Sequence, residues 1–214
     1  MNTEGDWTRE DEDLLRRAGS GDAGAIGDLF ARYRPRLQKM LNVRLDRRLQ
    51  RRMDTSDVLQ EVYLEMARRM PEYVGNATVP FYVWLRSLAG QRLVDLYRRH
   101  LGAQMRAIDV EVSLHRGGVP QASSLSLAEL LAGGLTSPTQ AASREELRLR
   151  LQQVLNTLEP LDREIIAMRH FEELSNVEVA EVLGIQTSAA SKRYLRAVRR
   201  LREALAGIPG FLEA

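Results

Sequence analysis

The chain contains no cysteine, which excludes disulfides and thiolate metal sites. Aromatic residues make up only 6% and alternating polar–apolar runs are short, so there is little from which to build strands. No apolar run approaches the roughly 18 to 20 residues that span a bilayer, so direct membrane insertion is not expected. The leading residues have no apolar stretch of signal-peptide type, and a cytoplasmic protein is expected. The histidines His100, His115 and His170 are far apart, and there is no glycine-rich phosphate loop, metal-spaced ligand pair or nucleophile motif. Asp57 and Glu61 form a carboxylate pair one helical turn apart, but no general acid accompanies them. The reading is therefore of a non-enzyme without cofactor or metal.

What is present is charge, and it is unevenly placed. The net charge is only +2, yet residues 1–13 carry six acids (Glu4, Asp6, Glu10, Asp11, Glu12, Asp13) against Arg9, whereas residues 30–52 carry nine bases against Asp46. At 214 residues and 44% hydrophobic content the chain can bury one sizeable core or two small ones. Apolar residues recur at three and four, so the fold class is all-α.

The spacing predicts a helix over 11–18, a turn at Gly19-Ser20-Gly21-Asp22, and a long helix from Ala23 carrying Ile26, Leu29, Phe30, Tyr33, Leu37, Leu41 and Leu45, with a kink or a register change at Pro35. A third helix should start at a cap near Asp54 and run to Met70, where Pro71 stops it. A fourth and fifth should occupy 79–100. Ser126 to Leu131 can add one or two turns, and Ser143 with Glu146 forms a capping box that opens another helix.

The strongest local signal lies between Leu158 and Leu205. Ser175 and Glu178 form a capping box, Val179, Ala180, Val182 and Leu183 give the following helix an apolar side, Gly184 permits a left-handed turn, and Ile185 plugs the angle between helices. Thr187 is the expected N-cap of a second helix bearing Lys192, Arg193, Arg196, Arg199, Arg200 and Arg202 against Glu203. A basic helical face is often only a solvated surface. Here the cations follow the short side chains of Ser188, Ala189, Ala190 and Ser191, which allow close approach to a major groove, so the pattern points to a helix-turn-helix that docks on DNA. Lys192 and Arg193 are placed for base edges or phosphate, Arg196, Arg199 and Arg200 for the backbone.

Two other surfaces stand out. Asp57, Gln60, Glu61, Glu65 and Arg68 project away from an apolar stripe of Val58, Leu59, Val62, Tyr63, Met66 and Met70. They give an acid-amide patch that suits a basic protein partner better than DNA. Residues 79–99 interleave Phe81, Tyr82, Trp84 and Tyr97 with Arg86, Gln91, Arg92, Arg98 and Arg99, the mix found where unpaired bases stack on rings. Aromatics at this spacing are equally a core signal. Phe81, Trp84, Leu85 and Leu88 share a side, leaving Arg86, Gln91, Asp95, Arg98 and Arg99 as the exposed candidates.

Four motifs in order, Asp57-Val58-Leu59-Gln60-Glu61-Val62-Tyr63, Phe81 to Ala89, Leu161-Asp162-Arg163-Glu164-Ile165-Ile166 and Ser175 to Arg196, resemble the sigma-70 family of RNA polymerase sigma factors. Their spacing resembles the extracytoplasmic-function (ECF) subfamily, and the runs Ser188 to Ala197 and Arg99 to Gln104 are similar to ECF factors of planctomycete-type bacteria. The resemblance implies two small helical domains joined by a flexible linker: an acidic tail over 1–10, sigma domain 2 over 11–101, a linker over 102–142, a helix-turn-helix sigma domain 4 over 143–207 and a C-terminal tail over 208–214.

By this resemblance the chain binds core RNA polymerase and directs transcription initiation at chosen promoters. Asp57, Gln60 and Glu61 would anchor the polymerase. Arg86, Gln91, Arg98 and Arg99 would meet the melted minus-10 element, with Gln91 standing where many members have Asn. Ser188, Ser191, Lys192, Arg193 and Arg196 would bind the minus-35 duplex. An anti-sigma factor is the family's usual further partner, and the linker, rich in Gly and Ser with Pro120 and Pro138, would thread the polymerase. A helix-turn-helix regulator with a sensor or dimerisation domain is the alternative, and it would footprint DNA without polymerase. Charge patterning also favours a compact free form in which the acidic patch Glu172, Glu173, Glu178 and Glu181 and the acidic tail meet the bases of 30–52 and 190–202 and so shield the DNA-binding surfaces.

Overall fold

The computed structural model describes residues 9–45, 54–101, 119–135 and 141–206. Nine helices carry nearly all of these, and no strand occurs among the described residues. They are α1 (Arg9–Gly19), α2 (Ala23–Arg44), α3 (Thr55–Gly75), α4 (Phe81–Leu101), α5 (Ser124–Leu135), α6 (Ala141–Thr157), α7 (Pro160–Ile166), α8 (Asn176–Leu183) and α9 (Thr187–Ala206). A π-helical turn, Ala167–Phe171, continues α7.

Helices α1 to α4 form a first unit. Asp54 caps α3 by accepting from Ser56 N–H, as expected, and Asp22, read from the sequence only as part of a turn, caps α2 by accepting from Gly24 and Ala25 N–H. Pro71 does not stop its helix as expected. Helix α2 runs through Pro35 and α3 through Pro71, ending at Gly75. An internal proline costs about 3 kcal/mol, but anchors on either side are buried: Phe30, Leu37 and Met40 around Pro35, Met70 and Tyr73 around Pro71. Residues 81–101 are one helix rather than two, for a continuous apolar face of Phe81, Leu85, Leu88, Leu96 and Tyr97 holds it to the core.

Helices α5 to α9 form a second unit. Within the segment expected to be a flexible linker, Ser124–Leu135 is a full helix that packs Leu127, Ala128 and Ala132 against α6. Ser123 starts it, its hydroxyl accepting from Ser126 N–H at 2.9 Å. Helix α6 is described from Ala141, and the expected capping side chain of Ser143 lies outside the described residues. Residues 102–118 and 136–140 of the expected linker and the basic run 46–53 lie outside the described residues, as do Glu4 and Asp6 of the acidic tail.

A layer of buried charge joins the units. Arg44 at the end of α2 pairs with Glu164 and Glu172, and Arg86 of α4 pairs with the same two carboxylates at 3.4 and 2.7 Å. Around this centre Arg36 pairs with Glu178 at 2.9 Å and Lys39 with Glu173 at 2.5 Å. Glu173 is left-handed, with φ 59°, a conformation that costs a non-glycine residue energy and that here turns its carbonyl to accept from Arg36 at 3.0 Å. The connector passes through the same layer. Ala122 N–H donates to Glu164 at 3.0 Å, and Val119 lies so close to Gly90 that a Cβ there would sit 2.3 Å from a Val119 methyl.

The compact form expected from charge is thus half realised. Glu172, Glu173 and Glu178 do meet the bases of α2. Glu10 and Asp11 also meet a base of the 30–52 stretch, pairing with Arg32, but they do so inside the first unit, and the basic helix α9 takes no part in the junction. Lys192, Arg196 and Arg199 stay exposed on it.

Candidate nucleic-acid interface

The helix-turn-helix is built as the local signals require. Ser175 accepts from Glu178 N–H at 3.2 Å while the Glu178 carboxylate accepts from Ser175 N–H at 2.7 Å, and Gly184 closes α8 at φ 64°. Ile185 is half-buried in the corner. Thr187 is the first residue of α9, one position inside the expected cap. Behind the turn, Tyr194 Oη lies 2.8 Å from His170 Nε2; burial, and then the Arg169 cation, hold that imidazole below its ordinary pKa.

The cations of α9 divide between two faces. At about 100° per residue, Ser188, Lys192, Leu195 and Arg199 fall on one line, flanked by Ser191 and Arg196. Ser188, Lys192, Arg196 and Arg199 are exposed there and Ser191 is half-buried. Arg193 and Arg200 face the other way. Arg193 reaches the buried Asp162 at 3.4 Å and Arg200 reaches it at 2.7 Å, while Glu159 lies 3.9 and 3.7 Å away. Arg193, expected as a base reader, has its guanidinium half-buried in this structure, where it holds α9 to α7. Sequence reasoning missed Leu195, which is 66% exposed in the middle of the cationic face. Its spacing from Lys192 and Arg199 was the available signal.

Helix α4 is divided in the same way. Gln91, Arg98 and Arg99 are exposed and share one face, Arg99 standing 3.4 Å from Glu61. Arg86, expected beside them, is 2% exposed and locked between Glu164 and Glu172. Five residues of α-helix separate it from Gln91 by about 140°, which turns it into the junction. The aromatic rings are core and not a stacking platform. Tyr73 stacks on Trp84 at 4.5 Å, Phe81 meets Tyr33 edge-on at 5.3 Å, and Tyr97 donates to the Arg44 carbonyl at 2.7 Å.

On α3 Asp57 and Gln60 are exposed, Glu61 is half-buried, and Leu64, one turn on, is 67% exposed. Glu65 leaves this patch. It is buried among Arg68 at 2.7 Å, Arg69 at 2.5 Å and Arg92 at 2.9 Å; the Arg68 hydrogen bond and these charges hold its carboxyl below the ordinary range. Asp57, Gln60, Glu61 and Leu64 make an acid-amide stripe with one apolar anchor, the chemistry of a protein contact.

Among the described residues no group of side chains is arranged to hold a metal, and no helix is long and apolar enough to cross a membrane.

Known proteins share this architecture. Residues 148–201 match the family model for sigma-70, region 4, which spans α6 to α9. The chain is 26% identical over 203 residues to the RNA polymerase sigma-H factor of Pseudomonas aeruginosa, covering 92% of this chain and 94% of that one. It is 27% identical over 194 residues to the ECF RNA polymerase sigma-E factor of Escherichia coli, covering 87% and 90%. A solved structure of CnrH in complex with the cytosolic domain of CnrY superposes with a TM-score of 0.54 at 24% identity, covering 92% of this chain and 97% of that one. With an acid-amide helix in the first unit and a cationic helix-turn-helix in the second, the chain is similar over most of its length to ECF RNA polymerase sigma factors and matches sigma-70, region 4 over residues 148–201.

Proposed function

We propose that the protein binds core RNA polymerase and directs initiation at promoters that it recognises through two separate elements. The observation that carries this reading is the opposition of two exposed helix faces. The α9 face of Ser188, Ser191, Lys192, Arg196 and Arg199 suits a phosphate-lined groove, and the α3 face of Asp57, Gln60, Glu61 and Leu64 suits a basic protein. Residues 11–101 then serve as sigma domain 2 and residues 143–207 as sigma domain 4, with 102–142 as the connector and 1–10 and 208–214 as tails. Gln91, Arg98 and Arg99 meet the minus-10 strand. Leu195 adds an apolar contact for a thymine methyl at the minus-35 element. The work is cytoplasmic, where the polymerase acts, and a protein inhibitor analogous to the CnrY domain on CnrH is the expected regulator.

The test is transcription in vitro with purified core polymerase and sequencing of the initiated transcripts. Starts downstream of a common pair of elements support the reading. A DNA footprint formed equally well without polymerase, and no new starts with it, would replace it with a stand-alone regulator.

A further inference from the structure

The junction between the units holds an unusual set of groups. From the first unit come four cations, Arg36, Lys39, Arg44 and Arg86; from the second come four carboxylates, Glu164, Glu172, Glu173 and Glu178. Arg44 and Arg86 are each 2% exposed and Glu172 is fully buried. Burial opposes ionisation of Glu172, but the guanidiniums of Arg44 and Arg86 outweigh it and hold its carboxyl below the ordinary range. Two of the carboxylates, Glu172 and Glu173, are carried on a tight turn after the π-helical segment, with Glu173 left-handed, while Glu164 lies on α7 and Glu178 on α8. A strained turn of this kind commonly marks a functional site.

Three features separate this contact from a domain core. It carries a layer of paired charge, the polar character of interdomain surfaces that part and re-form. It is incompletely filled. A cavity of about 360 Å³ is lined by Tyr33, Arg36, Tyr82, Arg169, Glu173 and Glu178, and another of about 370 Å³ lies between Trp84, Arg86 and Glu181. The cations are also arranged over an aromatic surface, with Arg36 3.6 Å above the Tyr82 ring. Lifting the acidic turn away would leave on the first unit a concave group of guanidiniums and one ammonium beside a ring. Such a group would be costly to leave unpaired, and its chemistry fits a nucleic-acid backbone.

We propose that Arg36, Lys39, Arg44 and Arg86 form a phosphodiester-backbone site on the first unit, and that the Glu172–Glu173 turn, with Glu164 and Glu178, occupies it as a carboxylate stand-in while the chain is free. The site rests on the reading of the protein as a promoter-binding factor, and its ligand is the single-stranded DNA backbone. Engagement of the polymerase parts the units and exchanges carboxylates for phosphates. The exchange keeps the cations paired throughout, so no buried charge is left alone.

The test compares the full chain with Glu172→Gln/Glu173→Gln/Glu178→Gln, in which the amide oxygen introduced at position 178 retains the capping-box hydrogen bond. Shape is read by small-angle scattering, and affinity for a short oligothymidylate by titration between 50 and 200 mM salt. The expected result is a more extended chain, at least tenfold tighter binding at the lower salt, and a log–log salt slope steeper by about 2 to 3, four cations contributing about 0.7 each on a single strand. Adding Arg36→Gln/Lys39→Gln to the opened chain should remove about half of that increment. An extended chain with an unchanged slope, a steeper slope indifferent to Arg36 and Lys39, or a chain that stays compact would each overturn the proposal. If the triple variant loses helicity, Glu173→Gln/Glu178→Gln, which leaves Glu164 and Glu172 in place, carries the same test with roughly half the change in slope. In vitro transcription by the unaltered chain reads the sigma-factor function separately, so either can fail alone.

Discussion

Two regions of this molecule use the same residue types to opposite ends. On α9 Lys192, Arg196 and Arg199 stand exposed on one face, whereas at the junction Arg44 and Arg86 are almost fully buried, each paired with two carboxylates. Exposed cations lose little by waiting for a ligand, because water solvates them and salt screens them. Buried cations must be paired at all times, so each became part of an ion-pair layer that fixes one domain on the other. An arginine in a motif is thus a ligand-binding residue only where the fold leaves it free. Arg193 and Arg86 were both expected to touch DNA, and both are engaged by acids of the second unit.

The sharpest way to break the comparison is to unpair the junction. Arg86→Leu leaves Glu172 buried with one guanidinium fewer and should cost about 3 to 5 kcal/mol, seen as a lower unfolding midpoint in urea. Arg199→Leu, on the exposed face, should change stability by about 0.5 kcal/mol or less. Equal costs would mean that burial does not separate the two groups.

Loss of polymerase affinity is expected next. Asp57→Arg with Glu61→Arg should abolish core binding without altering helical content, since both lie off the apolar stripe. Leu64→Ala should weaken the same binding by about 1 to 2 kcal/mol, as truncation of an apolar interface anchor does. A pull-down titration with core polymerase reads both, and full affinity in the double variant would remove α3 as the anchor.

On DNA, Lys192→Ala and Arg196→Ala should each lose about 1 to 3 kcal/mol of affinity for the minus-35 duplex where the contact reads a base. Arg193→Ala should lower the thermal midpoint of the second unit more than it lowers specificity, because its partner is Asp162. If Arg193→Ala relaxes base preference while leaving stability unchanged, its pairing to Asp162 must give way on DNA.

The smallest effect is that of pH. Glu172 is held below its ordinary value of 4.5, so it binds fewer protons folded than unfolded; the stability it contributes is present above about pH 4.5 and is lost as pH falls through its lower folded value. His170 is likewise held below 6.5, here because burial disfavours the cation, so acidification below about pH 6.5 should begin to weaken the helix-turn-helix before the junction yields. Separate reporters on the two regions, titrated together, should show that order. Simultaneous loss would indicate that one group controls both.

Much of this was written locally. The caps at Asp54 and Ser175, the left-handed Gly184 and the helical period depend on residues within a turn of one another, and each stands where the sequence places it. The exposed face of α9 follows almost as directly, since a helix of known phase shows which residues share a side. Pro71 misled because its local penalty is smaller than the burial on either side, a quantity that belongs to the whole unit. Charge patterning indicated that the 172–178 acids and the α2 bases attract. Pattern alone did not reveal that α4 would contribute Arg86 to the same layer, nor that α9 would stay outside it. Those outcomes turn on the side of each helix that meets another helix, and only packing of all the helices at once decides that.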